Sequence, residues 1–290
     1  MNPAPSVILF STLSGMGLGL LAFLGAGFAL ATGWTAFLWW GLGYALAVGG
    51  LMAATFHLGN PQRALLAFTQ WRSSWLSREA WAAVAALLTL APMALSDLFD
   101  LGLPRVVGQV GAVLALLTVF TTSMIYTQIR AVPRWHHWTT PLQFLGFAVV
   151  GGALLSGQAW AGLALIGLGP LMALSWWIGD GQFARVGQTL GMATGLGPIG
   201  EVQVFEQAHT AGNYLLREMI FVVGRKHANK VRLIALGLGA VLPALVVALG
   251  PAAPATVALA ALLHLSGALA QRWLFFAQAE HVVGLYYGKR

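Results

Sequence analysis

Ionisable side chains gather in one short segment, FHLGNPQRALLAFTQWRSSWLSREAW, which runs from Phe56 to Trp81 between two long apolar runs. His57 ends the first run and Glu79 opens the second, so we expect both side chains at the same end of neighbouring helices. A histidine can donate a hydrogen bond and carry a proton near neutral pH, and a partly desolvated carboxyl group can relay protons. A quinone needs a donor at a carbonyl oxygen and a proton carrier that leads to water. The pair therefore predicts a quinone site, to which Arg63 is also assigned.

The same segment has a second interpretation, because an ionisable group at the edge of a helix bundle is either solvated or part of a site. In a solvated cluster the arginines would contact lipid headgroups and the tryptophans would form part of an aromatic belt. We favour the solvated cluster for Trp71, Arg72 and Trp75. We favour the quinone site for His57 and Glu79.

A second polar cluster begins at Thr121, where a later apolar run ends. Tyr126 closes that run and is assigned to the quinone site. Arg130, His136 and His137 follow in a short connection. We predict partner contact for Arg130, and a surface role rather than metal ligation for the two histidines.

The positions of the remaining histidines indicate whether the chain could bind haem. His264 lies near the middle of the last apolar run and shares a helix face with Arg272. A haem held by two histidines needs them at matching depth on facing helices, whereas His57 lies at the end of its run. We therefore expect no haem and no metal site, and we expect His264 to be a hydrogen-bonded histidine of the bundle. The chain has no cysteine, which excludes thiolate-held iron–sulfur clusters. Any electrons must then be exchanged with a centre in a partner protein.

Composition indicates a membrane protein. Of the 290 residues, 58% are hydrophobic and 8% are charged, whereas soluble domains carry roughly 25% charged residues. Eight apolar runs have the length that a helix needs to cross a bilayer. They cover residues 7–31, 34–56, 79–97, 105–129, 141–158, 160–178, 231–250 and 254–276. The runs predict an all-α bundle of eight transmembrane helices that forms a single integral membrane domain over residues 1–290.

Basic residues are divided unevenly between the two ends of such a bundle. With eight spans, fourteen of the fifteen Lys and Arg residues share the side of the two termini, and only Arg105 lies on the other. The positive-inside rule then predicts a multi-pass membrane protein with both termini in the cytoplasm. We expect its location to be the bacterial inner membrane. The alternative is that some of these charges bind an acidic partner or anionic headgroups.

The longest connection, residues 179–230, falls on this basic side. Its first half is rich in glycine, and its second half can form an amphipathic interfacial helix. Because long connections in compact proteins are usually functional, we interpret it as a partner-binding loop in the cytoplasm. Arg72 and Arg217 are predicted to contact the partner.

Three features together resemble the membrane-anchor subunits of the dimethyl sulfoxide reductase type, the DmsC family. They are HLGNPQRA at 57–64, Glu79 22 residues after His57, and MIYTQIRAVPRWHHWTTPLQF at 124–144. The resemblance implies an anchor without haem that exchanges electrons with menaquinone or ubiquinone. It implies two partners, a four-cluster iron–sulfur subunit and a molybdopterin catalytic subunit. In the family, the histidine and glutamate that match His57 and Glu79 are associated with quinol binding.

The predicted orientation favours one branch of that family. The chain is most similar to a SoeC-type anchor, which serves a cytoplasm-facing sulfite dehydrogenase that passes electrons from sulfite to quinone. The alternative is the anchor of a dimethyl sulfoxide reductase, or of another S- or N-oxide reductase, that oxidises menaquinol. In either case no residue of this chain is expected to act on the substrate of the catalytic partner.

Two rival functions make different predictions from the sequence. A small-molecule transporter would show inverted repeats, broken helices and charges near the middle of the membrane. We find no convincing repeat, and most charges lie at the ends of the runs. A passive anchor would lack quinone chemistry, so that changes at His57 and Glu79 would leave quinone-coupled turnover unaltered.

Overall fold

The fold was analysed in a computed structural model that describes residues 1–57, 59–206, 212–220 and 222–288. These residues form helices and connections and no strand, which confirms the all-α class. The first six helices are α1 (Pro5–Ala26), α2 (Gly33–Ala53), α3 (Trp75–Phe99), α4 (Arg105–Thr127), α5 (Thr139–Leu155) and α6 (Ala161–Val186). Three short helices follow, α7 (Leu190–Thr194), α8 (Tyr214–Glu218) and α9 (Val222–Lys226). The last part contains α10 (Ala228–Leu236), a π-helical turn (Gly237–Val241), α11 (Leu242–Leu249) and α12 (Pro254–Ala277).

Seven helices in the described part of the chain are long and apolar enough to cross a membrane. They are α1, α2, α3, α4, α6, α12 and the continuous helix Ala228–Leu249, which joins α10 to α11. The predicted fifth span forms a helix too, but α5 has only 17 residues. Most residues of α5 are buried, because it packs against α1, α4, α6 and α12.

The connections collect at two ends of the bundle. At one end the N–H of Asn2 donates to the carbonyl of Glu218 (2.7 Å), and the N–H of Val282 donates to the carbonyl of Ala131 (2.9 Å). We call this the basic end. It holds residues 1–4, 54–57, 59–74, 128–138, 187–206, 212–220 and 278–288. The connections 27–32, 100–104, 156–160 and 250–253 lie at the far end, where the side chain of Gln158 donates to the carbonyl of Phe28 (3.0 Å).

A buried ion pair stabilises the far end. Arg105, at the start of α4, donates to both carboxylate oxygens of Asp97 in α3, at 2.8 and 3.1 Å. The indole N–H of Trp40 in α2 donates to the same carboxylate, at 3.1 Å. Only 8% of the Asp97 side chain is exposed, and a bidentate guanidinium–carboxylate contact combines charge with fixed geometry. The cluster therefore joins α2, α3 and α4 around Arg105, the one basic residue that the sequence assigned to this end.

Helix α1 is the centre of the bundle and contacts α2, α4, α5 and α12. Small residues allow its backbone to approach those of its neighbours, as is usual for helices in membranes. A Cβ atom on Gly50 of α2 would collide with the backbone of Ser14, and one on Gly19 would collide with the carbonyl of Ala148 in α5. The helix axes are therefore held close together where these residues meet.

The connection after α6 is shorter than the predicted loop 179–230. Helix α6 continues to Val186 because its polar end is paired: Asp180 binds Arg134 (2.5 Å) and Arg232 (2.5 and 2.8 Å). The predicted amphipathic helix is divided into α8, α9 and the start of α10 in the part that the structure describes. What remains of the glycine-rich half is exposed and lies at the basic end.

Gly49 and Gly50, which are adjacent in α2, allow a test of the close packing of α1 on α2. We expect Gly50→Ala to lower the stability of the detergent-solubilised protein by about 1–3 kcal/mol, the range found for overpacked cores. Gly49→Ala is the matched control, because a Cβ atom there meets nothing within 4 Å and alanine favours a helix. Thermal unfolding measures both variants. Equal melting temperatures for the two would contradict the close contact between α1 and α2.

Candidate functional site

Glu79 is buried in the first turns of α3 and is 4% exposed. It shares the inward face of that helix with Ala82, Ala83 and Ala86, at the spacing of successive helical turns. The small side chains of this face allow α3 to pack tightly on α4. Packing therefore carries the carboxyl group into the bundle and away from water.

The carboxyl group of Glu79 contacts the hydroxyl of Thr122 on α4. Thr122 can donate its proton to an ionised Glu79. It also lies 2.9 Å from the carbonyl oxygen of Thr118, to which it can donate instead. In that second arrangement a protonated Glu79 can donate to the Thr122 oxygen, since a hydroxyl both donates and accepts. Thr122 therefore provides a hydrogen-bond partner for both protonation states of Glu79.

Glu79 forms no ion pair with any residue that the structure describes. An ionised carboxylate without a cationic partner is costly to bury. Its burial therefore has no electrostatic compensation of the kind seen at Asp97. This is the arrangement expected of a group that gains and loses a proton rather than one that holds helices together.

Tyr126 lies one turn after Thr122 and is surrounded by aromatic rings. Its ring centroid is 5.3 to 5.6 Å from the centroids of four other rings. The four are those of Trp135, Phe144, Phe275 and Phe276. The Phe144 ring that Tyr126 contacts also lies 3.5 Å from the guanidinium of Arg272. Tyr126 therefore lies in an aromatic wall that reaches the guanidinium of Arg272.

These residues belong to a polar layer within two turns of the basic end. We define it as Glu79, Thr122, Tyr126, Gln143, Gln271 and Arg272. Gln271 of α12 donates to Gln143 of α5 (3.0 Å) and accepts from the indole N–H of Trp176 in α6 (3.1 Å). The layer thus extends across the bundle from α3 to α6.

The α2–α3 hairpin packs against the start of α3 at the basic end. Its 3-10 helix Pro61–Phe68 lies against the start of α3, where the indole of Trp81 donates to the carbonyl of Phe68 (3.0 Å). Arg78 fastens the rest of the hairpin. It donates to the carbonyls of Trp71 (3.0 Å) and Arg72 (2.7 Å) and stacks 4.4 Å from the ring centroid of Trp75.

The other two residues predicted to bind quinone are His57 and Arg63. The backbone of His57 ends a 3-10 helix next to α2, but its side chain lies outside the described part of the structure. Arg63 is exposed on the hairpin, and nothing in the described part brings it to Glu79. The structure therefore brings Glu79 and Tyr126 into one layer and leaves the roles of His57 and Arg63 as predictions.

The predicted partner contacts are at the surface. Arg72, Arg130 and Arg217 are all exposed at the basic end. His136 is exposed nearby. Burial, followed by the charges of Arg185 and His136, lowers the pKa of His137. Its ring is then neutral near pH 7.

No group of three or more His, Cys, Asp or Glu residues that could hold a metal is found among the described residues. His264 is buried, and its Nδ1–H donates to the carbonyl of Gly239 in the π-helical turn (2.7 Å). Its ring also stacks on that of Phe147. His264 is thus hydrogen-bonded within the bundle, as expected.

An apolar groove of about 510 Å³ lies between α11 and α12, near the far end. Leucine, valine, alanine and proline side chains line most of it, and no ionisable residue does. It suits the acyl chain of a lipid but has no charged group for proton exchange.

The sequence singled out Glu79 and Tyr126 but not Thr122 or Thr12, which also lie in buried polar positions. Threonines are common in membrane helices, where they usually bond to their own backbone. Composition gave no reason to separate these two from the others. In the sequence, His264, Gln271 and Arg272 indicated a polar α12.

Two comparisons with known proteins give significant matches. Residues 35–163 match a family model described as DMSO reductase anchor subunit (DmsC). The chain is also 30% identical to a subunit of the sulfite dehydrogenase of Allochromatium vinosum, over 99% of each chain. No solved structure matches significantly. The segment matched by the family model contains Glu79, Thr122 and Tyr126.

Proposed function

This chain belongs to the DMSO reductase anchor subunit (DmsC) family of membrane anchors, and we propose that it is the quinone-reactive anchor of a molybdopterin and iron–sulfur oxidoreductase. One observation carries the proposal. Glu79 is a buried carboxyl group without an ion pair among the described residues, and it has a hydroxyl partner suited to both of its protonation states. Such a group is arranged to exchange protons at the edge of the membrane.

The chemistry requires both electrons and protons at this position. Reduction of a quinone to a quinol takes up two electrons and two protons. Glu79 exchanges a proton with the headgroup, and Thr122 keeps its carboxyl group in place through the change of charge. His57 donates a hydrogen bond to a carbonyl oxygen, a role inferred from the sequence, since its side chain is outside the described residues. Tyr126 forms part of the wall of the site.

The electrons come from an iron–sulfur subunit docked on the basic end. This end offers the exposed Arg72, Arg130 and Arg217, together with the apolar side chains of Ile199 and Phe205, which are 83% and 103% exposed. Exposed apolar residues within a charged surface are typical of protein–protein contacts. A catalytic molybdopterin subunit would bind to the iron–sulfur subunit and complete the complex.

Sulfite is the substrate that we favour for the catalytic partner. The relative that is 30% identical to this chain is named as a subunit of sulfite dehydrogenase. The basic end also carries most of the positive charge, which favours a cytoplasmic location for the partners. Oxidation of sulfite with water gives sulfate, two protons and two electrons, which matches the needs of quinone reduction. The family description itself supports the alternative, an S-oxide reductase that oxidises quinol.

We assign α5 as the eighth transmembrane helix. Its 17 residues correspond to roughly 25 Å of helix, which is at the short end of the range for a span. Its two ends join connections at opposite ends of the bundle. With eight crossings, both termini lie on the cytoplasmic side.

A conservative change at Glu79 tests the quinone chemistry. We expect Glu79→Gln, in the assembled complex, to lower sulfite-to-quinone turnover at least tenfold, since a positioned proton carrier contributes about 10²–10⁴. Sulfite oxidation with a soluble artificial acceptor should be unchanged, because the partner subunits are intact. Glu201→Gln is the matched control on an exposed connection. Full quinone turnover in Glu79→Gln would support a passive anchor instead.

Cysteine labelling tests the orientation, because the natural chain has no cysteine. Thr194→Cys lies at the basic end and Leu101→Cys at the far end, and both positions are exposed. A membrane-impermeant maleimide should label Leu101→Cys in intact cells and Thr194→Cys only after lysis. The reverse pattern would place the partners outside the cytoplasm and would contradict the assignment to sulfite oxidation.

A further inference from the structure

Two buried polar atoms in the described structure lack a hydrogen-bond partner, and both face the same small cavity. They are the hydroxyl oxygen of Thr12 on α1 and the Nη1 atom of Arg272 on α12. Thr12 is 5% exposed and Arg272 is 3% exposed. The cavity lies between α1, α5 and α12, within the depth of the polar layer. Two such groups that face one cavity indicate a ligand-binding position rather than two unrelated defects.

The hydroxyl of Thr12 differs in its hydrogen bonding from the hydroxyls of neighbouring residues. The hydroxyls of Ser11 and Ser14 donate to carbonyls of their own helix, those of Val7 (2.9 Å) and Phe10 (2.6 Å). Thr12 has the same local option but its hydroxyl makes no such bond. Its hydroxyl is therefore available to a ligand in the cavity.

Arg272 is fixed in place without being neutralised. Its guanidinium lies 3.5 Å from the centroid of the Phe144 ring and 5.8 Å from that of Phe147. It forms no ion pair with a described residue, and no acidic side chain lines the cavity. A guanidinium has five N–H donors and no acceptor. A ligand at this position must therefore supply an electron-rich acceptor atom.

The shape of the cavity limits that ligand. Its enclosed volume is about 10 Å³, which is enough for one oxygen atom of the size of water. Phe144, Phe147 and the flexible Met16 form walls. Gly15 lies at the margin, and a Cβ atom there would meet nothing within 4 Å. An oxygen atom can occupy the cavity while the group that carries it lies outward, beside Gly15.

We propose that Thr12 and Arg272 bind a carbonyl oxygen of the quinone headgroup. This rests on the proposed function, and it adds a binding subsite contributed by α1 and α12. Arg272 contacts Phe144, and Phe144 contacts Tyr126. Tyr126 follows by one turn the Thr122 that binds Glu79, so the subsite and the proton-exchanging group belong to one layer. A ligand that reaches it from the bilayer would be neutral and apolar apart from its oxygens, as a quinone is.

Thr12→Val is the sharpest test, because it keeps the shape of the side chain and removes only the hydroxyl. An unpartnered hydroxyl contributes nothing to folding, so the melting temperature of the variant complex should be unchanged or higher. The KM for decylubiquinone should rise five- to twentyfold, with artificial-acceptor turnover unchanged. Thr118→Val is the matched control, since that hydroxyl is buried but donates to the carbonyl of Leu114 (2.9 Å).

Gly15→Leu provides an independent variant that leaves both polar groups intact. It fits the open space but should block the margin of the cavity, and it too should raise the KM for decylubiquinone several-fold. Arg272→Gln should have the largest effect on KM, and its melting temperature shows whether the complex folds. A different outcome is that Thr12→Val and Gly15→Leu both keep the natural KM for decylubiquinone while Glu79→Gln loses quinone turnover. In that case the subsite is wrong and the proposed function stands.

A bound water is the competing occupant. In that case Thr12→Val would lower the melting temperature and leave the KM unchanged, which would overturn the proposal. If the natural complex transfers no electrons to decylubiquinone, the proposed function itself fails, and the subsite fails with it.

Discussion

Polar groups inside a bilayer must find their partners within the protein, because no water is available to them. This constraint explains where the polar side chains of this chain lie. At the far end, Asp97 shares its oxygens between Arg105 and Trp40. At the basic end, Asp180 is held by two arginines from distant parts of the chain. In both clusters the carboxylate is paired with guanidinium groups, one at Asp97 and two at the half-exposed Asp180, and each cluster joins several helices.

The polar layer does not follow this rule. Glu79 is buried without a described cation, Arg272 is buried without a described anion, and the hydroxyl of Thr12 has no partner. These groups are uncompensated in a bundle that compensates its other buried charges. In a membrane protein such residues are expensive and usually functional. The tight packing of α1 against its neighbours supplies the stability that allows them to persist.

The position of the layer also suits its proposed chemistry. A quinone is confined to the membrane, whereas molybdopterin and iron–sulfur subunits are soluble proteins. The two meet only at the membrane surface, and the layer lies within two turns of the basic end. An exposed basic and apolar surface covers the same end. The order of partner, layer and bilayer is therefore consistent with electron transfer into the quinone pool.

Much of this could be predicted from the sequence, since long apolar runs have few structural solutions in a membrane. The helices formed near their predicted positions, and the comparisons confirmed the family. Glu79 was found because an acid at the start of an apolar run is conspicuous. The extension of α6 was missed because it depends on Arg134 and Arg232, which are remote in sequence from Asp180.

The roles of Thr12 and Thr122 were also hidden from the sequence. A hydroxyl in an apolar helix bonds to its own turn in most cases, as Thr118 and Ser14 do here. Thr122 has the same local bond and differs only by its contact with Glu79, which depends on the packing of α3 on α4. Thr12 differs because it faces a cavity where α1 packs on α12. Helix packing brings together residues that are separated in the chain, and the periodicity of the sequence does not predict these contacts.

Photochemical cross-linking of a quinone to the assembled complex tests the central claim most directly. A photoreactive ubiquinone analogue would be activated in membranes, and the labelled peptides would be mapped by mass spectrometry. The account predicts labelling near the polar layer, in peptides that cover residues 75–81 and 118–126, and competition by unlabelled quinone. Competable labelling confined to the apolar groove between α11 and α12, near Leu245 and Leu259, would contradict it.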